Sequence, residues 1–350
     1  MSAIPPEVFD VCKPAKGSRE VIHVATKTKW IAFDVISAAS VQSMAFSIDE
    51  HPLWVYAVDG HYIEPLKVDV LTLLNGDRYS IFVQLNKPSG AYGIRVAGTA
   101  AAQLLDTFAV LVYPGGSGNQ TNSTGDGNIN AVTSNPSINR AGLGVSTNVT
   151  FFSQAQMVSF PPQFPQPAPA PDQTVIMTLA VEGSSYNWVM NGSILHQEKI
   201  NDLAPPLLWH DPLTTDLGPN VTFATKNNTW VDLVFRVNTI PQPPHPIHKH
   251  SNKGFIIGQG DGLFNWTSVA QAAKAVPHFF NFVNPPYRDG FVTPGPVDKP
   301  TWLAVRYHVV NPGVFMLHCH IQSHMEGGMA MVILDGVDAW PEVPTQYQNV

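Results

Sequence analysis

From Glu20 to Leu111 the chain alternates short apolar runs with turn residues: VIHVAT, KWIAFDVI, RYSIFVQL, YGIRVAG and FAVLVY are separated by NGD, KPSG and similar breaks. A two-residue period without a sustained helical one predicts strands, and their regular spacing predicts a β-sandwich. After Thr174 the rhythm returns in TVIMTLAV, SYNWVMN, TWVDLVFRV, KGFIIGQG and TWLAVRYHVV. It closes in Val314 to Leu334, which reads as two strands and the bend between them. Only Ser268 to Val276, after a Thr267 cap, carries a helical pattern. The expected class is all-β.

Between these halves the rhythm breaks. The stretch opens on YPGGSGNQTNSTGDGN, which is flexible and solvated, and closes on FPPQFPQPAPAP, which favours extended polyproline II. The simple expectation is a long connection over 115–172 joining a domain at 1–114 to one at 173–350. The alternative is an ordered strap over both, for which the apolar piece VTFFSQAQMVSF is suited.

A chain of 350 residues has room for two such domains. Charged residues make up 13% and the formal net charge is −7, so there is no basic footprint for nucleic acid and no polybasic patch for a membrane surface. Apolar runs such as Phe108 to Val112 fall well short of the roughly twenty residues of a spanning helix. Sequons at Asn119, Asn122, Asn148, Asn191, Asn220, Asn227 and Asn265 suit a secreted glycoprotein; chance is the alternative in a chain rich in Asn, Ser and Thr. The start, MSAIPPEVFD, has no signal-peptide pattern, so a secreted location implies a signal removed or an artificial beginning.

The chemistry concentrates in two places. VFMLHCHIQSHMEGGMAMVIL offers imidazole, thiol and thioether donors at His318, Cys319, His320, His324 and Met329. Side chains alternate along a strand, so His318 and His320 point one way and Cys319 the other. PHPIHKH adds His245, His248 and His250, the last two sharing a face. A lone histidine is more often a structural residue than a ligand, but clusters of this density change the odds. Cys319, His324 and one further histidine would make the trigonal His2Cys set of a blue copper, with Met329 as the weak axial donor. The bland alternatives are a buried free thiol and a core methionine beside Met325 and Met331.

HPxHxH followed downstream by HCHxxxHxxxxM resembles the copper signature of the multicopper oxidases, the family of laccases, ascorbate oxidase and ferroxidases. The resemblance implies copper as cofactor, with His245, Cys319 and His324 as type 1 ligands and Met329 axial. It implies His248 as a type 2 ligand, and His250, His318 and His320 as ligands of the type 3 pair. It further implies two tandem cupredoxin-like Greek-key sandwiches, the second holding the metals, and an oxidoreductase passing single electrons from a phenol, diamine or similar small reductant toward O2. In HCH, Cys319 is bonded through its neighbours to the other site, a short covalent electron path. SIDEHPLWVYAVDGHYIEPLKVD resembles the middle domain of the fungal members; His51 and His61 within it lack His-x-His spacing and read as structural or surface residues.

The chain departs from the family in one respect. A complete member has a further, first domain that brings two more His-x-His pairs to the trinuclear cluster. Before His245 the histidines here stand at positions 23, 51, 61, 196 and 210, none two apart. Copies of the same chain would supply only copies of the same motifs. Three readings follow: a laccase-like oxidase completed by a first domain in trans, with Cys12 as a candidate tie; a one-electron copper carrier or copper-binding module; or an inactive fragment. Resemblance to phenol-oxidising laccases implies a substrate-orienting carboxylate near the type 1 histidine, which the sequence does not place beside His245. Resemblance to ferroxidases implies acidic residues on the same rim, with Asp261, Asp289 and Asp49 as unranked candidates.

Overall fold

The computed structural model describes residues 19–99, 105–114, 132, 134–161, 166–195, 198, 200, 206–209, 217 and 220–348. Cys12, Asn119 and Asn122 lie outside the described residues. Among the described residues no helix is long and apolar enough to cross a membrane.

The first half is a two-sheet sandwich. Its strands are β1 (Val21–His23), β2 (Trp30–Ile36), β3 (Met44–Ile48), β4 (Leu53–Val58) and β5 (His61–Val68). They continue as β6 (Leu71–Leu73), β7 (Arg78–Gln84), β8 (Ala91–Gly98) and β9 (Asp106–Val112). One sheet runs β1-β9-β8-β3-β6 and the other β2-β7-β4-β5. Alternation decides which face goes inside: in β7, Tyr79, Ile81 and Val83 are buried while Phe82 and Gln84 face out. The inner residues meet Ile48, Leu53, Val55, Ile94 and Leu111 in one core.

The second half repeats the plan on a larger scale. It holds β10 (Gln173–Val181), β11 (Trp188–Met190), β12 (Thr222–Ala224), β13 (Trp230–Val237), β14 (Pro246–Lys249) and β15 (Gly254–Asp261). There follow β16 (Tyr287–Arg288), β17 (Gly290–Val292), β18 (Thr301–His308), β19 (Gly313–Cys319) and β20 (Ala330–Asp335). The sheets run β11-β10-β13-β18-β15-β16 and β12-β20-β19-β14-β17. Both sandwiches are cupredoxin-like, as the family resemblance implies. The core between the second pair of sheets gathers Leu233, Phe235, Ile247, Leu303, Leu317 and Ile333, each fully buried; a side chain such as Phe235 contributes about 2–3 kcal/mol relative to exposure.

Among the described residues helix is confined to short pieces. The predicted one is α1 (Val269–Ala275), but its N-cap is Ser268, whose side chain accepts from the Gln271 N–H. Thr267, the expected cap, instead donates its hydroxyl to the Gln271 side chain. The bend expected within 314–334 is a helical turn, α2 (Gln322–Glu326).

Of the expected connection over 115–172, residues 134–161 form a strap. Phe152 and Met157 join the first core, and Ile138 packs with Ala45, Val70 and Ala97. The Gln154 side chain then reaches the second sandwich, donating to the Val292 carbonyl at 2.8 Å. Burial of these apolar side chains is what holds a segment without regular structure in place.

The sandwiches also meet through charge. The buried Arg288 guanidinium bonds Asp59 at 2.8 Å and Asp77 at 2.5 Å, both carboxylates belonging to the first half. Burial disfavours the Arg288 cation, but the two carboxylates outweigh this and hold its pKa well above the ordinary arginine value.

Candidate metal centre

Strands β14 and β19 run antiparallel with Ile247 opposite Cys319, His248 opposite His318 and Lys249 opposite Leu317. Strand parity therefore places His248 and His318 on one face of the sheet, and Ile247, Cys319, Lys249 and Leu317 on the core face. The register is extended by His250 N–H to the Met316 carbonyl and His320 N–H to the Pro246 carbonyl. All eight residues predicted from the sequence fall into two groups on the two sides of this strand pair.

On the core side, one donor atom from each of His245, Cys319 and His324 lies within 4.8 Å of the others, and all three residues are buried. Both imidazoles present Nδ1 to the sulfur, His245 at 3.8 Å and His324 at 3.6 Å. Nε2 of His245 donates to the Gln242 side-chain oxygen at 3.0 Å, which leaves Nδ1 its lone pair. The turn that delivers His324 is closed by Met329 N–H to the His324 carbonyl and by Cys319 N–H to the Met329 carbonyl. Gly328 makes this possible: its φ is +106°, and a Cβ there would strike Ile194. Met329 is fully buried in the same core as Cys319.

Burial sets the electrostatics. It drives His245 down to about 3 and His324 down to about 4, so both rings are neutral bases at neutral pH. The same burial pushes the Cys319 thiol up to about 12. Two imidazole nitrogens and a sulfur turned toward one point are a donor set suited to a soft cation. A metal there would release the thiol proton.

Trp188 is part of this group and was not singled out from the sequence. Its ring stacks on His324 with centroids 3.5 Å apart and planes 16° from parallel, and it meets His245 edge-on at 5.8 Å. The SYNWVMN run gave its strand but not its partner.

The outer face carries the second group. Ring centroids separate His248 from His250 by 5.0 Å, from His318 by 5.6 Å and from His320 by 6.0 Å. His250 and His318 bring their Nε2 atoms to 3.3 Å. Nδ1 of His318 donates to the Cys319 carbonyl and Nδ1 of His248 to the Asp289 carbonyl, so both rings turn Nε2 outward. Burial lowers His318 to about 4 and also depresses His248 and His250.

The remaining candidates lie elsewhere. His51 is buried between the Asp49 carbonyl and the Tyr113 hydroxyl, and His61 meets Tyr287 edge-on. The Asp49 carboxylate is fully buried and held by both ends of Arg95. Asp261 is exposed and paired with Lys299 beside a cleft of about 460 Å3. Asp289 sits against His248, not at the Cys319 group.

Two cupredoxin-like sandwiches carry a buried His-Cys-His group backed by a four-histidine face, a donor set consistent with a copper-binding protein. The chain belongs to the multicopper oxidase family: profiles described as multicopper oxidase match residues 10–116 and 198–339. It is 38% identical over 353 residues to multicopper oxidase elcG of Phaeosphaeria nodorum, covering 99% of this chain and 54% of that protein. With laccase abr2 of Aspergillus fumigatus the identity is 39%, covering 97% and 56%. The laccase of Botrytis aclada shares the fold, with a TM-score of 0.68 over 94% of this chain and 56% of that one at 23% identity. The chain thus spans about half the length of these relatives. Copper is the cofactor of the family, and His245, Cys319 and His324 are consistent with its type 1 site.

Proposed function

We propose that this chain is the copper-bearing part of a laccase-type oxidase that takes single electrons from a small phenol or diamine, with O2 as the final acceptor. One observation carries the reading: the convergence of the His245 and His324 Nδ1 atoms on the Cys319 sulfur, on a strand whose neighbouring residues are His318 and His320. Copper held by His245, Cys319 and His324, with Met329 as axial donor, would supply reversible one-electron oxidation. His248, His250, His318 and His320 are proposed as ligands of the second centre.

The residues divide the remaining work. Gln242 fixes the His245 tautomer, and the core around Cys319 excludes water from the thiol. Trp188 covers the face of His324, so a reductant approaches that imidazole across or beside an aromatic surface. Peptide bonds from Cys319 to His318 and His320 join the two donor groups without a gap. The exposed sequon residues Asn148, Asn220 and Asn265 fit the family's extracellular members, and secretion belongs to this reading.

A second reading, a one-electron copper carrier, is favoured by the count of ligands: the outer face gathers four histidines, whereas the family's oxygen-reducing cluster uses eight. Copper titration of the full chain separates the readings. An intense thiolate band with a phenol-driven uptake of O2 and no released peroxide supports the oxidase. The same band with negligible uptake, or with peroxide as the product, supports the carrier. Absence of any Cys319-dependent band refutes both.

A further inference from the structure

We propose that Arg78, a residue of the first sandwich, positions two histidines of the second: His248 through Asp289, and His320 through Gly76. The guanidinium forks onto the Asp289 carboxylate, Nη1 to Oδ1 at 2.8 Å and Nη2 to Oδ2 at 3.0 Å. Lys253 adds a second cation to Oδ2 at 2.7 Å. Burial alone would raise the Asp289 carboxyl, but these hydrogen bonds outweigh it and hold it down to about 2. Asp289 is thereby fixed in place between β16 and β17.

Its backbone carbonyl then takes two hydrogen bonds from β14, from the Lys249 amide at 3.0 Å and from Nδ1 of His248 at 3.2 Å. A ring whose Nδ1 holds the proton must present Nε2 as its lone pair, and the His248 ring lies 5.0–6.0 Å, centroid to centroid, from those of His250, His318 and His320. One carbonyl sets both the tautomer of His248 and the height of its strand.

The second arm is independent. Nη1 of Arg78 also donates to the Gly76 carbonyl at 3.3 Å. Gly76 has φ +83°, and a Cβ built there would strike the His320 ring at Cδ2. The His320 ring therefore rests directly on the backbone of the first sandwich. The next residues are docked likewise, with Gln322 N–H bonded to the Ser40 carbonyl at 2.9 Å. The first sandwich is thus one wall of the histidine group, and Arg78 ties the wall to the ligand strand. Arg78 touches no ligand itself and is a positioning residue; the inference rests on the copper reading for its metal arm alone.

The test uses the full chain with 15N-labelled histidine, first metal-free at neutral pH and then titrated with Cu(II). In the unmodified chain His248 is expected as the Nδ1–H tautomer. Arg78→Met should give mixed tautomers at His248 and about a tenfold or greater loss of Cu(II) affinity at the outer group, the scale on which such supporting partners act. The Cys319 absorption should be retained. Arg78→Lys should recover the tautomer only in part, because an ammonium restores charge without the fork. Gly76→Ala should displace the His320 resonances and leave those of His248 in place.

An unchanged His248 tautomer with unchanged outer-site affinity in Arg78→Met would overturn the proposal. So would loss of the Cys319 band together with the outer site, which would mark general damage to the fold. Unmoved His320 resonances in Gly76→Ala would remove the second arm. Failure of the unmodified chain to form any Cys319 band refutes the oxidase reading and leaves the metal-free tautomer measurement standing.

Discussion

His245 and His324 turn their Nδ1 atoms to within 3.3 Å of each other, with the Cys319 sulfur completing the triangle. Burial of both rings fixes the acid response of the metal-free chain. Both rings ionise near 6.5 when unfolded, and near 3 and 4 in the fold. Between these limits the unfolded chain binds more protons than the folded one, so stability falls as pH drops from about 6.5 toward 4. The expected result is a falling melting temperature over that window in the metal-free chain. A melting temperature flat from pH 7 to pH 4 would contradict the burial of these rings.

Replacing the sulfur separates colour from metal content. Cys319→Ser should still bind copper weakly through histidine yet lose the intense visible band, because only a thiolate supplies that charge transfer. Met329→Leu should keep the band and raise the reduction potential, since a weak donor that favours Cu(II) has gone. Electrochemistry of the two loaded proteins checks both, and an unchanged potential in Met329→Leu would assign the axial role elsewhere.

Trp188→Ala strips the cover from His324. The His324 pKa should climb from about 4 toward its ordinary 6.5, because burial is the cause of its depression. Titration of the His324 resonances in the metal-free variant measures this. A pKa still near 4 would show that the stack contributes nothing to the burial.

Behind the ligand strand, Lys249 and Asp335 form a fully buried ion pair at 3.1 Å, with the Tyr307 and Thr225 hydroxyls on the second carboxylate oxygen. Burial lowers the Lys249 pKa despite Asp335. Lys249→Met leaves the carboxylate without its cation and should cost about 3–5 kcal/mol. Lys249→Met combined with Asp335→Asn should recover most of that loss. Chemical denaturation of the three proteins tests it, and equal losses in the single and double variants would mean the pair is not coupled.

Much of the centre was legible in the sequence because strands have a period of two. That rule alone separates Cys319 from His318 and His320, and the fold keeps the separation. Pairing was not legible: nothing near Pro246 states that His248 lies opposite His318, a choice made by packing across the sandwich. Trp188, Gly76 and Arg78 were missed for the same reason. Each meets its histidine only after the sheets and sandwiches have assembled, and a tryptophan, a turn glycine and a strand arginine carry no local mark of such a task. The bend at 322–326 was misjudged because five residues are too few for a helical period to show.

The strand Gly313–Cys319 works as a parity check on its own sequence. Deleting or inserting one residue ahead of His318 would exchange inside for outside, burying imidazoles and exposing the thiol in a single step. Loss of one centre would thereby entail loss of the other. An insertion or deletion of odd length in this stretch therefore disturbs the Cys319 group and the outer histidine group together.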